Sequence, residues 1–178
     1  MKTFEEVFET IPGKGWLSKQ EAECLWRWAS KVQGPILEVG CYNGRSTCLL
    51  AATGRPVFAV DPFAGFDSAD PNGTETQASF LDALKERGIE NVRLYRQRVE
   101  DWTPRTVGFA YLDGDHTYQG TLSQIRKALI CGTSVVAVHD VNDGGGGLEI
   151  KRAATEQLGE WTERVERLAV WDLRESKR

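Results

Sequence analysis

In this 178-residue chain the side chains able to do chemistry gather at the ends of short apolar runs. Ile36-Leu37-Glu38-Val39 breaks into Gly40-Cys41-Tyr42-Asn43-Gly44-Arg45-Ser46, and Val57-Phe58-Ala59-Val60 ends in Asp61-Pro62. Glycines at 40 and 44 let the backbone approach a ligand that a Cβ would push away, and the N–H groups of the helix that follows face the same space. Asp61, 21 residues beyond Gly40, is the type of group that accepts hydrogen bonds from ribose hydroxyls. Together they predict an adenosine pocket. Further acids follow later runs: Glu100 and Asp101, then Asp113, then Asp140 preceded by His139.

The chain has two histidines, His116 and His139, and both fall among these acids. His139 is the candidate general base, its ordinary pKa of about 6.5 suited to neutral pH, with Asp113 as the second candidate catalytic residue. His116 is expected to order its loop, capping the helix that begins near Tyr118 or bonding a backbone carbonyl. Asp113, His139 and Asp140, at adjacent strand ends, offer a site for Mg²⁺ or another divalent metal, although a neutral imidazole is a poorer Mg²⁺ ligand than a carboxylate.

The elements that would position these residues alternate along the chain. Ser18-Lys19-Gln20-Glu21 has capping-box spacing, and Ala22, Leu25, Ala29 and Val32 follow at helical intervals until Gly34-Pro35. From there the pattern predicts strands at 36–39, 57–60, 92–96, 107–112 and 134–138, with helices near 45–53, 77–87, 118–130 and 148–158. Polar and apolar residues alternating over 161–174 add one or two closing strands. The expected fold class is α/β: a Rossmann-like, doubly wound, mostly parallel sheet with helices on both faces and an antiparallel edge strand. One domain is expected over 1–178, with a helical segment at 1–34 and the α/β core at 35–178. Pro62–Thr76 and the glycine-rich Asp140–Gly147 read as loops beyond strand ends, where open α/β sheets bind ligands.

Composition narrows the partners. A net charge of −4 and a pI near 5.3 give no basic footprint for nucleic acid or an anionic membrane surface. No apolar run approaches the roughly 20 residues a membrane helix needs, and Met1–Glu6 lacks the apolar region of a signal peptide. Both predict a cytoplasmic protein acting on a small molecule. Four cysteines without a C-x-x-C pair read as reduced, mostly buried thiols. A homo-oligomer remains open as a way to complete the pocket of so short a chain.

Taken together, the motifs resemble class I S-adenosylmethionine-dependent methyltransferases, and more narrowly their small-molecule O-methyltransferase-like group. That group's E-x-G-x-x-x-G-x-S stands here as Glu38, Gly40, Gly44 and Ser46; its D-G-D-H-x-Y as Asp113 to Tyr118; its strand-ending His-Asp as His139-Asp140. The resemblance covers roughly residues 15–140. It implies S-adenosyl-L-methionine as cofactor, with Glu38, Gly40, Cys41, Tyr42, Asn43, Gly44 and Ser46 at the methionine part and Asp61 and Pro62 at the ribose. Val99-Glu100 or Asp101-Trp102 would meet the adenine, with the Trp102 ring stacking on it, and Asp113 also belongs to the implied cofactor set. Metal-dependent relatives bind their ion at positions matching 113, 139 and 140. The catechol-type pattern there has Asp-Asn where this chain has His-Asp, which leaves metal use open. The implied reaction is methyl transfer, with a hydroxyl as the expected acceptor.

Two rivals differ in kind. A nicotinamide-dinucleotide oxidoreductase would use the same spacing to Asp61, but it wants G-x-G-x-x-G, and Cys41-Tyr42-Asn43 intervenes between Gly40 and Gly44. A non-catalytic binding module would keep the fold without need of Asp113 and His139-Asp140.

Overall fold

The structure, a computed structural model, describes residues 3–64 and 73–174. In chain order the helices are α1 (Phe4–Phe8), α2 (Lys19–Lys31), α3 (Arg45–Ala51), α4 (Thr74–Glu86), α5 (Tyr118–Ile130) and α6 (Gly147–Leu158). The strands are β1 (Ile36–Val39), β2 (Val57–Val60), β3 (Val92–Tyr95), β4 (Phe109–Leu112), β5 (Val135–Val138), β6 (Glu163–Val165) and β7 (Leu168–Asp172). They form one sheet in the order β3-β2-β1-β4-β5-β7-β6. The five strands β1 to β5 pair in parallel, and β7 joins antiparallel between β5 and β6. The alternation of elements and the antiparallel edge are therefore as the sequence predicts. Helix α1 lies within the helical segment expected at 1–34, although five residues are too few to show a helical period; its local signal is the Thr3-x-x-Glu6 capping box.

Side-chain alternation along the strands builds two cores. Ile36, Val57, Phe109, Tyr111, Val135 and Val170 point to one face and pack with Leu25 and Trp28 of α2 and Leu49 and Leu50 of α3. Leu37, Val39, Ala110, Leu112, Val136, Val138 and Trp171 point to the other and pack with Ile125 of α5 and Ile150 of α6. Strands covered on both faces read as continuous apolar runs, which is why ILEV, FAYL and VVAV were legible. Full burial of one such aliphatic side chain contributes about 1.5–3 kcal/mol.

The order of strands reverses between β1 and β4, since the chain runs from β1 to β2 and β3 on one side and to β4 and β5 on the other. Loops leaving the carboxyl ends there diverge and open a crevice. Gly40 is required at its floor: its φ is 84°, and a Cβ would lie 2.2 Å from the Asp113 carbonyl oxygen. Of the expected loop at Pro62–Thr76, residues 65–72 lie outside the described residues.

Candidate functional site

The crevice is a cleft of about 390 Å³ over the ends of β1, β2, β4 and β5. On one wall stands the glycine turn. Gly40 N–H donates to the Val60 carbonyl (3.0 Å) and Gly44 N–H to that of Cys41 (2.8 Å). Asp61 binds the turn from the next strand: Oδ2 accepts from the Cys41 and Tyr42 N–H groups (2.7 and 3.1 Å), and Oδ1 from Phe63 N–H (2.7 Å). Its carboxylate thus fixes the turn's shape as well as lining the cleft, with lone pairs of Oδ1 left over. Asn43 lines the same wall, and its buried amide nitrogen and oxygen have no hydrogen-bond partner among the described residues.

Glu38 lies behind the turn, fully buried, where Oε1 accepts the Ser46 hydroxyl proton at 2.5 Å. Burial pushes its carboxyl up to about 7. Cys41, Tyr42, Asn43 and Ser46 reach the cleft wall, as do Asp61, Pro62, Val99 and Glu100. Trp102 does not: it is 1% exposed and packs between Phe58 and Tyr95, so the expected stacking on a base is corrected to core packing. Among the four alternatives offered after β3, Val99 and Glu100 line the cleft.

The opposite wall holds both histidines. His139 has a side chain only 2% exposed, with Nδ1 3.3 Å from Asp113 Oδ1 and Nε2 3.3 Å from Glu21 Oε2. Burial alone would lower its pKa, but the charge and hydrogen bond of Asp113, followed by those of Glu21, raise it to about 10. Held between two carboxylates, the imidazole favours its protonated form over the free base. Glu21, fully buried, is the counterpart: burial opposes its charge, yet His139, the Ser18 N–H and the Arg167 N–H hold it near 2. Asp113 also accepts from the Tyr111 hydroxyl at 3.0 Å. Burial works against its charge as well, but His139 and His116 outweigh that and keep it well below the usual carboxylate range.

His116, its side chain 37% exposed, stands at the cleft between Asp113 Oδ1 (3.4 Å) and Asp140 Oδ2 (3.6 Å). A hydrogen bond to Asp113 raises its pKa above the ordinary value, against the effect of burial. The helix cap expected of it is supplied by its neighbour. Thr117 caps α5 by accepting the Gly120 N–H, and Asp115 accepts the Thr117 N–H. Gln124 finishes the loop, accepting from Gly114 N–H and donating to the Asp115 carbonyl. Asp113, His139 and Asp140 each offer a ligand atom within 4.8 Å of the others.

Two members of this wall escape sequence reasoning. Glu21 is visible only as the last residue of a capping box, whose spacing says nothing of a histidine 118 positions away. Arg167, with Nη1 2.8 Å from Asp140 Oδ1, carries no local signal. Trp16 at the rim, 61% exposed, lies 5.2 Å from the Tyr42 ring.

Residues 37–141 match the family model described as a methyltransferase domain. No curated protein matches the sequence significantly. Among solved structures, CalS11, a TDP-rhamnose 3'-O-methyltransferase of calicheamicin biosynthesis, is similar over 95% of this chain and 90% of its own, at 16% identity and a TM-score of 0.60. The SMU.1697c protein of Streptococcus mutans, solved in complex with SAH, covers 83% and 93% at 15% identity and 0.62. An rRNA methylase of Streptococcus thermophilus covers 88% and 96% at 15% identity and 0.58. Likeness at this identity establishes the fold they share.

Proposed function

The chain belongs to the methyltransferase domain family as a class I S-adenosylmethionine-dependent enzyme, and on that premise we propose that it methylates a hydroxyl of a small molecule. The observation that carries this reading is the meeting, in one cleft, of the glycine turn with Asp61 and the wall of acids and histidines. The buried amide of Asn43, without a hydrogen-bond partner among the described residues, suits a polar ligand end, so the residues present fit the cofactor. Cys41 to Ser46 would hold its methionine part with Glu38 bracing Ser46, Asp61 and Pro62 the ribose, and Val99 and Glu100 the adenine. The acidity of the chain, net −4, favours a small acceptor over an RNA.

Bound S-adenosylmethionine supplies a sulfonium methyl whose leaving sulfide needs no proton. The chain then has to hold the acceptor oxygen in line and take its proton as the new C–O bond forms. We assign the base to His116, which is reached from the cleft and stands 3.4 Å from Asp113 Oδ1. His139 is the fixed positive charge that keeps Asp113 ionised. A second reading rests on the three converging donors: Asp113, His139 and Asp140 would hold a divalent ion, whose chemistry is to lower the pKa of a bound hydroxyl.

The test is a panel of sugars, phenols and other hydroxylated metabolites, with an rRNA fragment as contrast, followed by S-adenosylhomocysteine release. Turnover on a small hydroxyl compound is expected, and His116→Gln should slow it about 100-fold with unchanged S-adenosylhomocysteine affinity. Turnover on the RNA alone overturns the acceptor reading, and a His116→Gln enzyme of full rate overturns the base.

A further inference from the structure

We propose that Arg167 is a positioning residue, a built-in counter-cation that fixes Asp140 and opposes a divalent ion at Asp113, His139 and Asp140. This rests on the second reading of that cluster given above. Arg167 follows Glu166, whose φ of 50° turns the chain between β6 and β7. Three hydrogen bonds hold it. The backbone N–H donates to Glu21 Oε1 (3.0 Å), the carbonyl accepts the Val141 N–H (2.8 Å), and Nη2 donates to the Trp16 carbonyl (3.2 Å). Those contacts aim Nη1 at Asp140 Oδ1, 2.8 Å away.

The oxygen it holds is the one that matters. Asp140 Oδ1 is also the atom 3.7 Å from His139 Nδ1, so an ion held between Asp140 and His139 would lie close to the guanidinium. Arginine does not lose its proton at any working pH, and two like charges within about 5 Å repel strongly where water is partly excluded. The same side chain ties the Trp16 rim to Asp140, so the C-terminal hairpin, the N-terminal segment and the end of β5 are held by one residue. The hairpin lies beyond residue 141, where the family model ends, so this is a property of the chain's own C-terminal part.

The test measures binding of Mn²⁺ alone, by the electron paramagnetic resonance signal of the free ion, to the full chain and to three variants. Arg167→Gln should bind Mn²⁺ at least about tenfold tighter than the unaltered chain, while Arg167→Lys, which keeps the charge, should stay within about threefold of it. Arg167→Met, which keeps the apolar stem, gives the same comparison if Arg167→Gln does not fold. A residue that only supported the fold would lower the affinity or leave it alone. Neutral variants that bind no tighter than the unaltered chain overturn the proposal, as does Arg167→Lys binding as tightly as Arg167→Gln. S-adenosylhomocysteine-induced melting shifts on the same samples keep the two questions apart: no shift in the unaltered chain strikes the cofactor reading, while the Mn²⁺ ratio decides the role of Arg167.

Discussion

The two walls of the cleft are built in opposite ways. The glycine turn is contiguous, drawn from Gly40 to Ser46 and closed by one carboxylate, Asp61, acting on backbone N–H groups. The acid–histidine wall draws Glu21, Asp113, His116, His139, Asp140 and Arg167 from four separate stretches of chain and holds them by side-chain charge. A wall made of backbone depends on local conformation and persists across side-chain changes outside it. A wall made of paired charges depends on every member, because removing one leaves another buried and uncompensated.

Glu21→Ala should therefore be the most damaging change. It leaves the buried His139 imidazolium without one of its two carboxylates, at a cost of about 3–5 kcal/mol, read as a lower midpoint in urea unfolding. S-adenosylhomocysteine affinity of the folded fraction should be nearly unaltered, since the turn does not use Glu21. A loss under about 1 kcal/mol, or a collapse of cofactor affinity with stability intact, would erase the contrast between the walls.

A pH series sharpens it. Glu21 is depressed from 4.5 to about 2, so its contribution is present above 4.5 and lost as pH falls toward 2. His139 is raised from 6.5 to about 10, so its contribution is full below 6.5 and lost as pH rises toward 10. Glu38, raised from 4.5 to about 7, stabilises fully below 4.5 and loses that contribution as pH rises through 7. The melting temperature should accordingly peak on the acid side of neutrality and fall toward pH 9. Glu38→Gln should flatten the part of that fall between pH 4.5 and about 7. A melting temperature that climbs from pH 6 to pH 9 would contradict these assignments.

The smallest effect is expected at Tyr118, although it completes the D-G-D-H-x-Y motif. Its hydroxyl donates to Glu156 Oε2 at 2.5 Å on the exposed side of α5 and α6, away from the cleft wall. Tyr118→Phe should change neither melting temperature nor S-adenosylhomocysteine affinity measurably, and a large fall in turnover would extend the working wall beyond His116.

The same division explains what the sequence could say. Buried parallel strands and a glycine turn are written in consecutive residues, so β1, β2, α5 and the position of Asp61 were legible to the residue. The roles of the histidines were not, because a pKa is set by neighbours remote in the chain. His139 looks like an ordinary base until Glu21 and Asp113 stand on either side of it. His116 reads as a loop residue, and its place between Asp113 and Asp140 shows only in the fold. Trp102 is among the residues expected at the adenine, yet it fills the core, a choice that residue type alone leaves open.

The most direct test of a cofactor cleft centred on Asp61 is calorimetric titration of S-adenosylhomocysteine into the unaltered chain and into Asp61→Ala, with NAD as the contrast ligand. One site per chain, at least about tenfold weaker in Asp61→Ala, a loss of 1.4 kcal/mol or more, is the predicted result, with no heat from NAD. Binding of NAD alone, or S-adenosylhomocysteine binding indifferent to Asp61→Ala, would contradict it.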